Sequence, residues 1–269
     1  MALREDIGDG DHSSMACIPA DAQRKAKMVA KAEGVLCGAE VGERVFRLVD
    51  NSLKVTLLKN DGDCLKAGDI VMTVEGRAAS ILTAERTALN YMQRLSGIAT
   101  QTHRMVEMIA GLHTRLLDTR KTTPNMRLLE KYAVKCGGGT NHRIGLYDMI
   151  MLKDNHIDFA GGIEQAIDRT HKYLSSKGKN LKIEIEVRNL DELGQVLAHG
   201  GVDRIMLDNF DVQTLREAVK RIGGRYETEA SGGITDQTLR AYAETGVDYI
   251  SIGALTHHIK SLDLSLVSD

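Results

Sequence analysis

The chain has 269 residues, of which 42% are hydrophobic, so it can bury a sizeable core in one large domain or in two unequal ones. Aromatic residues make up only 4% and Trp is absent, which argues against a stacking surface for nucleic acid. The formal net charge of -2 argues against a general polyanion binder. No apolar run approaches the roughly 18 residues of a membrane-spanning helix. We therefore expect neither nucleic acid nor a membrane as a partner.

The four cysteines lie far apart in the sequence and form no C-x-x-C motif. This spacing suggests neither a zinc site nor a disulfide framework. The N-terminus lacks the pattern of a signal peptide, so we expect a cytoplasmic protein with reduced thiols. These cysteines are Cys17, Cys37, Cys64 and Cys136.

The N-terminal part mixes predicted strands and helices without regular alternation, which is typical of an α+β arrangement. It opens with an acidic, glycine-broken segment, Glu5–Ser14, which is predicted to be a capped loop and lacks the spacing of an EF-hand. The elements that follow are predicted as a strand over Ala26–Leu36, a helix over Gly38–Val49, and strands over Lys54–Leu58 and Ile70–Glu75.

A long helical pattern comes next, with Thr83 as its predicted N-cap. Arg86 lies off the apolar stripe of this helix. The Ser96-Gly97 pair is predicted to interrupt the pattern, before a second helix that ends near Ala110. We place a domain boundary at this interruption, between residues 98 and 99.

From Thr114 onward, short apolar runs alternate with helical patterns, which predicts a parallel sheet. The predicted strands are Thr114–Asp118, Met149–Lys153, Lys182–Val187, Arg204–Asp208, Tyr226–Ala230 and Tyr249–Gly253. Helices are predicted from Thr123-Pro124 to Gly137, and over Asp191–His199, Asp211–Ile222 and Thr235–Thr245. Six strands fall short of the eight of a full barrel, so a smaller or partly open barrel is favoured, with a doubly wound sheet as the alternative.

Cationic residues gather near the ends of the first predicted strands of this sheet, where active-site groups collect in parallel barrels. Several cations in one cavity repel each other unless an anion joins them, so we infer a substrate with more than one negative group. The alternative is a salt-bridged loop. The cations are Arg120, Lys121, His142, Arg143 and Lys153.

Glu186 and Asp208 end consecutive predicted strands and should be neighbours. Two such carboxylates suit a Mg²⁺ site, the hydroxyls of a sugar, or a general acid/base pair. The alternative is ion pairing with nearby Arg and Lys.

The Ser231-Gly232-Gly233 segment follows a predicted strand and is predicted to open a helix, which favours phosphate binding by backbone N–H groups. Gly253, after the last strand, could complete this site, and the alternative is a plain turn. The glycine run 137–139 lacks the ending of a P-loop and indicates a helix stop. Together these patterns indicate two anionic substrates: a sugar phosphate with a metal, and a small polycarboxylate.

Long motifs spread over nearly the whole chain resemble the quinolinate phosphoribosyltransferase family, the decarboxylating enzymes of NAD synthesis. They occur in the family's order: EDIGDGD (Glu5–Asp11), N-x-x-x-x-L-S-G-I-A-T (Asn90–Thr100), DTRKTTP (Asp118–Pro124), EKYAVKCGGGTNHR (Glu130–Arg143), LKDNH (Leu152–His156), EIEVRNLDEL (Glu184–Leu193), IMLDN (Ile205–Asn209), EASGGI (Glu229–Ile234) and SIGALTH (Ser251–His257).

The resemblance implies an N-terminal α/β sandwich domain over residues 1–98 and an open parallel α/β barrel of about six strands over residues 99–257. The tail, residues 258–269, is expected to pack back on the first domain. The implied reaction converts quinolinate and phosphoribosyl pyrophosphate to nicotinate mononucleotide, pyrophosphate and CO₂ with Mg²⁺. The implied assembly is a homodimer in which Arg86 reaches the partner's site, and such dimers could associate further.

The resemblance also implies a role for each matching position. Those that surround the quinolinate carboxylates and neighbouring anionic groups are Arg120, Lys121, His142, Arg143 and Lys153. Those that face the ribose and the metal are Glu186 and Asp208. Those that hold the 5′-phosphate region are Ser231, Gly232, Gly233, Gly253 and His257. Thr119 and Ser251 complete the predicted substrate-binding set, and the predicted catalytic residues are Lys121, Lys153, Glu186 and Asp208.

Two features depart from the family's pattern. The chain begins almost at the EDIGDGD motif, so the usual N-terminal helix is expected to be short or absent. His258 follows His257 where Ser is common.

Two other functions stay open. One is a related phosphoribosyltransferase for another pyridine acid, and the other is a non-catalytic sugar-phosphate sensor. Retention of both carboxylates and the whole cation set argues against the sensor.

Overall fold

The computed structural model describes residues 1–268, which fall into two compact units. The first unit comprises residues 1–104, 128–138 and 255–268, and the second comprises residues 105–127 and 139–254. The predicted boundary between residues 98 and 99 falls inside a continuous helix. Each unit therefore draws on more than one stretch of the chain.

The elements alternate along the chain in the order of their residue numbers. The helices are α1 Ala2–Ile7, α2 His12–Cys17, α3 Ala39–Val49, α4 Ala78–Met108, α5 Arg127–Cys136, α6 Asp154–Ala160, α7 Ile163–Lys177, α8 Leu190–His199, α9 Val212–Ile222, α10 Leu239–Ala243 and α11 Ala254–His257. The strands are β1 Gln23–Ala30, β2 Gly34–Val35, β3 Lys54–Leu57, β4 Cys64–Leu65, β5 Ile70–Arg77, β6 Arg115–Leu117, β7 Ile150–Leu152, β8 Ile183–Val187, β9 Arg204–Asp208, β10 Glu227–Ser231, β11 Tyr249–Ser251 and β12 Leu264–Ser268.

The first unit is built on an antiparallel sheet in the order β12-β1-β5-β3. Alternate residues of β1, namely Ala26, Met28 and Ala30, are buried, as expected for a sheet with one face on a core. The C-terminal strand β12 pairs with β1, so that Ala30 lies opposite Leu264. The tail thereby completes one edge of this sheet.

Two sequence predictions for the first unit are wrong. The predicted single strand over Ala26–Leu36 is two strands, because the chain leaves the sheet after Ala30 and β2 then pairs with β4. The predicted loop over Glu5–Ser14 contains parts of helices α1 and α2. Its capping was predicted correctly, since Asp11 accepts the backbone N–H of Ser14 at 3.0 Å.

The predicted start at Thr83 and the predicted interruption at Ser96-Gly97 are also wrong, because α4 runs unbroken from Ala78 to Met108. The Ser96 hydroxyl accepts from the backbone N–H of Cys37 at 2.9 Å and donates to its carbonyl oxygen. At Gly97 any Cβ would collide with the backbone of Lys260. Both small residues therefore serve close packing and do not end the helix.

The second unit is built on a parallel sheet in the order β6-β11-β10-β9-β8-β7. The six predicted strands are thus confirmed. Strands β6 and β7 follow each other in the chain but occupy opposite edges, so the barrel is open between them. A short parallel bridge between Leu117 and Thr140 covers the outer edge of β6.

Two predicted helix starts in the second half are displaced. Asn125 has a left-handed backbone (φ 63°), so α5 begins at Arg127 and not at Thr123-Pro124. The helix predicted from Thr235 begins only at Leu239, after a turn in which Thr238 accepts from the N–H of Thr235. Within residues 1–268, no helix has both the length and the apolarity required to span a membrane.

Candidate active site

Most predicted site residues lie at the carboxyl ends of the parallel strands, in the second unit. Because these ends meet at one edge of a parallel sheet, the fold brings their side chains together. Arg86 and His257 belong to the first unit. The predicted residues of the second unit are Thr119, Arg120, Lys121, His142, Arg143, Lys153, Glu186, Asp208, Ser231, Gly232, Gly233, Ser251 and Gly253.

Lys153 and Glu186 form an ion pair between the ends of β7 and β8, with Nζ 3.1 Å from Oε2. The Glu186 side chain is 8% exposed and the Lys153 side chain 47% exposed, so the pair is half open to solvent. The backbone N–H of Lys153 donates to Nδ1 of His156 at 3.0 Å, which fixes the start of α6. The charged end of Lys153 therefore stays available to a ligand beside Glu186.

Asp208 ends β9 in a partly buried position. Burial raises the pKa of the Asp208 carboxyl, and the charge of Lys153 and hydrogen bonds from Asn209 and Ser231 oppose this rise. Asn209 donates from Nδ2 to Oδ2 of Asp208 at 2.6 Å, and its backbone N–H donates to the carbonyl oxygen of Ser231. The carboxylate is thus held in place, and a nearby cation would stabilise its charged form.

The glycines after β10 are required by their surroundings. Gly232 has φ 95° and any Cβ there would collide with the side chain of Asn209. Gly233 has φ 63° and open space around it. No α-helix opens directly at this segment as predicted, since Leu239 begins α10 and that helix has only 5 residues. Any anion binding here rests on backbone N–H groups and not on a long helix dipole.

Arg143 and Arg120 form the cationic side of the cluster. Arg143 is half-buried, and its Nη1 donates to the carbonyl oxygen of Met149 at 3.1 Å. Burial lowers the pKa of the Arg143 guanidinium, the charge of Arg120 lowers it further, and Glu184 and Asp148 act against both. Two guanidinium groups that repel each other in this way favour an anion between them.

Thr119 and Lys121 lie on the same loop after β6. The Thr119 hydroxyl accepts from the backbone N–H of Lys121 at 3.0 Å, which orders the turn. Lys121 is exposed, as is Arg120. This loop therefore presents its positive charges to solvent at the strand ends.

His142 is buried and forms ion pairs inside the protein. This agrees with the alternative interpretation of the cations, in which they form salt bridges and do not bind a substrate. Its Nε2 lies 2.9 Å from Oε2 of Glu184 and 3.2 Å from Oε2 of Glu229. Burial lowers the pKa of the imidazole, but hydrogen bonds with the two glutamates outweigh this and raise it to about 9. Its backbone N–H donates to Oδ1 of Asp118 at 2.8 Å. A direct role of His142 toward a substrate anion stays a prediction.

Sequence reasoning missed two members of this buried cluster, Glu229 and Arg204. Parallel pairing places Glu184 beside Arg204, and Nη1 of Arg204 lies 3.2 Å from Oε2 of Glu229. The guanidinium also stacks on Tyr249, 4.3 Å from the ring centroid. A signal was available for Arg204, which opens a strand of otherwise apolar residues up to Asp208, but not for Glu229, whose strand is mostly polar.

Burial raises the pKa of the Glu184 carboxyl to about 7, and the charge of Glu229 adds to this effect. The pKa of the Glu229 carboxyl is lowered: burial raises it, but hydrogen bonds from His142 and Ser251 act the other way and prevail. Ser251, predicted to bind substrate, thus contacts this internal carboxylate.

A cavity of about 370 Å³ adjoins Arg143 and is lined mainly by β7 and α7. Its polar lining includes His156 and Arg169 beside the apolar residues of β7. Arg143 thus borders both the strand-end cluster and this cavity.

The remaining predicted residues lie in the first unit. Arg86 is exposed on α4. His257 is exposed, and its Nδ1 lies 2.9 Å from Nδ1 of His258. Their predicted roles stay predictions.

Two clusters within residues 1–268 have three possible metal ligands whose donor atoms lie within 4.8 Å of one another. One is His142, Glu184 and Glu229. In this cluster the guanidinium of Arg204 already offsets negative charge, through its ion pair with Glu229. The other is Cys37, Asp61 and Cys136, which lie in the first unit. The predicted Mg²⁺ ligands Glu186 and Asp208 belong to neither, but their oxygen donors and small number fit Mg²⁺, which usually shares its coordination with water and substrate phosphate.

Comparison with known families supports the sequence motifs. The family model described as quinolinate phosphoribosyl transferase, N-terminal domain, matches residues 11–96. The model described as the C-terminal domain of the same enzyme matches residues 98–267.

Alignments with curated relatives cover nearly all of this chain and most of each relative. A rice protein named nicotinate-nucleotide pyrophosphorylase [carboxylating], chloroplastic, is 46% identical over 284 aligned positions, which cover 100% of this chain and 76% of that protein. A Bacillus subtilis protein named probable nicotinate-nucleotide pyrophosphorylase [carboxylating] is 45% identical and covers 97% of this chain and 89% of its own length.

Solved structures agree. The crystal structure of NadC from Streptococcus pyogenes superposes with a TM-score of 0.94 at 42% identity, covering 100% of this chain and 94% of that one. The nicotinate-nucleotide pyrophosphorylase from Francisella tularensis gives a TM-score of 0.94 at 44% identity, with 100% and 93% covered.

Proposed function

The chain belongs to the quinolinate phosphoribosyltransferase family, and on that premise we propose that the strand-end cluster of the second unit carries out the reaction. The enzyme transfers a phosphoribosyl group from phosphoribosyl pyrophosphate to quinolinate with decarboxylation, as part of NAD biosynthesis. The observation that carries the assignment of the site is the half-buried Arg143 near Arg120: burial lowers the pKa of the Arg143 guanidinium, and the charge of Arg120 lowers it further.

The quinolinate carboxylates bind the cationic side, formed by Arg120, Lys121, Arg143 and Lys153. Arginine forks bind carboxylates through two parallel hydrogen bonds, whereas lysine adds a mobile point charge. A dianion bound between the guanidinium groups offsets their mutual repulsion. Relief of the repulsion present in the free protein contributes part of the binding free energy. His142 directly precedes Arg143 in the chain and supports this side from behind through its buried contacts with Glu184 and Glu229.

The ribose and pyrophosphate lie on the acidic side, next to Glu186 and Asp208. These two carboxylates would hold Mg²⁺, which would neutralise charge on the leaving pyrophosphate when bound. Asp208 supports this because burial raises the pKa of its partly buried carboxyl, while Lys153, whose charge acts against this rise, is bonded to Glu186. The half-exposed side chain of Lys153 is long enough to contact either Glu186 or a bound substrate.

The 5′-phosphate is held by backbone N–H groups around Ser231, Gly232 and Gly233. The open space at Gly233 supports this, since nothing lies within 4 Å of a Cβ placed there. Gly253 follows the neighbouring strand β11 and extends the same edge of the sheet.

Positioning and electrostatics are then sufficient for the chemistry. The C1′–O bond to pyrophosphate breaks, and the pyridine nitrogen of quinolinate forms the new bond to C1′. The ring nitrogen becomes positively charged and stabilises the electron pair that stays on the adjacent ring carbon when its carboxylate leaves as CO₂. A proton from water then binds that carbon and gives the C–H bond of nicotinate mononucleotide, so the protein need supply no acid to activate the ring.

The active unit is a homodimer in which Arg86 reaches the partner's quinolinate site. Large apolar side chains on the second unit support an interface, since Leu146 is 70% exposed, Tyr147 69% and Phe159 86%. Arg86 itself is exposed on α4 and free to serve a second subunit. The cytoplasmic location stays a prediction, because the rice relative carries the word chloroplastic in its name.

Calorimetric titration with quinolinate tests the site. Arg120→Ala and Arg143→Ala should each weaken binding by about 1.5–3 kcal/mol, the usual cost of one charge-assisted contact. Arg216→Ala, which removes an exposed arginine of α9, is the matched control and should bind normally. Unchanged binding in both cluster variants would remove this assignment.

A further inference from the structure

Cys37, Asp61 and Cys136 meet in the first unit, although no two of them are near in the sequence. Cys37 directly precedes Gly38, the N-cap of α3. Asp61 lies in the turn between β3 and β4, and Cys136 is the last residue of α5. The sulfur atoms and a carboxylate oxygen all lie within 4.8 Å of one another.

The separations of these three donor atoms are close to those of ligands in a metal site. In tetrahedral sites Zn²⁺ binds sulfur at about 2.3 Å and carboxylate oxygen at about 2.0–2.2 Å, which puts neighbouring donor atoms roughly 3.5–3.8 Å apart. Shortening the separations of the donor atoms by at most about 1.0–1.3 Å through side-chain rotation would bring the three donors to such distances. A site with two thiolates selects soft or borderline cations over Mg²⁺.

The surrounding bonds orient the donors. Asp61 accepts from the Tyr132 hydroxyl through Oδ2 at 3.0 Å and from the backbone N–H of Ala39 through Oδ1 at 2.9 Å. The backbone of Cys37 is held at both its N–H and its carbonyl by Ser96. Such outer contacts are what fixes ligand geometry in known metal sites.

The site is also accessible. Cys37 is fully buried, but Asp61 and Cys136 are only half-buried, so a cation can enter from their side. The hydrogen bond with Cys136 and burial raise the pKa of the Cys37 thiol, so this thiol loses its proton only as a metal–sulfur bond forms. Three protein donors leave a fourth position for water, as in open zinc sites.

We propose that Cys37, Asp61 and Cys136 form a binding site for one thiophilic divalent cation, of which Zn²⁺ is the representative. Each thiol gives its proton to solvent as its metal–sulfur bond forms, and nothing is oxidised or reduced. The bound cation would tie the end of α5 to the start of α3. The widely spaced cysteines gave no such indication in the sequence, because the site depends on contacts far apart in the chain.

The test uses the full chain, stripped of metal and kept reduced, with Co²⁺ and Zn²⁺ as the probes. We expect one Co²⁺ per chain with a thiolate-to-metal charge-transfer band in the near ultraviolet, and displacement of Co²⁺ by Zn²⁺. The band distinguishes this site from the His142 cluster and from Glu186 and Asp208, which contain no sulfur. Zn²⁺ should also raise the melting temperature.

Cys136→Ser and Asp61→Asn are the informative variants because both side chains are half-buried. Cys136→Ser should abolish the band, and each variant should weaken Zn²⁺ binding by at least about 100-fold, more than loss of an outer contact does. Cys64→Ser and Cys17→Ser remove exposed cysteines outside the cluster and should change neither reading. Circular dichroism confirms that each variant is folded.

Three results would overturn the proposal. One is the absence of a thiolate band in the reduced wild type. Another is a band of equal strength in folded Cys136→Ser. The third is a Zn²⁺-induced rise in melting temperature that Cys136→Ser and Asp61→Asn both retain.

Discussion

The Nζ atom of Lys153 lies 3.1 Å from Oε2 of Glu186. The two residues end neighbouring parallel strands, β7 and β8, and their pairing joins the proposed quinolinate side to the proposed ribose side. Lys153 also acts on Asp208 through its charge. In the proposed site, Lys153 thus lies between the two substrates, where the new bond to C1′ is expected to form.

Lys153→Ala should lower kcat/KM for quinolinate by about 10-fold to more than 100-fold, since one charge-assisted contact is worth about 1.5–3 kcal/mol and more if it strengthens in the transition state. Steady-state kinetics measure the loss. Lys172→Ala, an exposed lysine of α7, is the matched control. If Lys153→Ala turned over like wild type with an unchanged fold, the lysine would have no part in the reaction.

Asp208→Asn should remove the Mg²⁺ dependence that the carboxylate confers and raise the KM for phosphoribosyl pyrophosphate. Glu217→Gln, an exposed carboxylate in a surface pair with Arg221, is the control. Kinetics at varied Mg²⁺ decide the matter. Unchanged Mg²⁺ dependence together with an unchanged KM would mean that Asp208 is merely structural.

The same variant tests how much the charged form of Asp208 lowers the free energy of unfolding. Its pKa is raised by burial above 3.8, so the folded state binds the proton more tightly than the unfolded state. The free energy of unfolding of the wild type should therefore fall, relative to Asp208→Asn, as pH rises from about 3.8 through the folded pKa. Denaturant titrations at several pH values measure this, and a relative change of opposite sign would contradict it.

His142→Gln should destabilise the fold by about 3–5 kcal/mol at neutral pH, because it removes the imidazolium from two buried carboxylates, of which Glu229 keeps its contact with Arg204. The imidazole pKa is raised from 6.5 to about 9, so its contribution is complete below about 6.5 and is lost as pH rises through about 9. The destabilisation should shrink over that range. His199→Gln, whose ring pairs with the exposed Asp168, should cost less than about 1 kcal/mol.

Urea titrations of both variants between these pH values decide the point. A His142→Gln cost that equals the His199→Gln cost, or one that grows toward pH 9, would refute the charged pairing of His142 with Glu184 and Glu229.

Much of the fold follows from local patterns in the sequence. The parallel strands were predicted from apolar runs between helical patterns, and the sheet confirms them. The interruption at Ser96-Gly97 was wrongly predicted because packing against Cys37 and Lys260 outweighs the weak helix propensity of Ser and Gly. Tertiary contacts of this kind leave no local signal.

The site was predictable only at the strand ends. Residues such as Arg120 and Lys153 follow apolar runs, so their position could be inferred from topology alone. The pairing of His142 with Glu184 and Glu229 depends on which strand lies next to which and in what register. That information appears only once the sheet is assembled.

The shared dimer site is tested by co-expression of Arg86→Ala with Lys121→Ala. If each is inactive alone and Arg86 acts across the interface, a mixed dimer has one site with both residues intact and one site that lacks both. Random pairing makes about half of the dimers mixed, so about a quarter of all sites should recover. A mixture as inactive as its parents, with mixed dimers verified by mass, would show that Arg86 is not supplied by the partner.

The most direct measurement of the central claim is simultaneous release of pyrophosphate and CO₂ by the wild-type protein with phosphoribosyl pyrophosphate, Mg²⁺ and quinolinate. We predict equal amounts of both products with quinolinate, and little pyrophosphate with nicotinate, which lacks the second carboxylate that Arg120 and Arg143 are proposed to bind. Tight binding of phosphoribosyl pyrophosphate without product would indicate a sensor. Equal turnover of nicotinate would contradict the proposed recognition of a dicarboxylate.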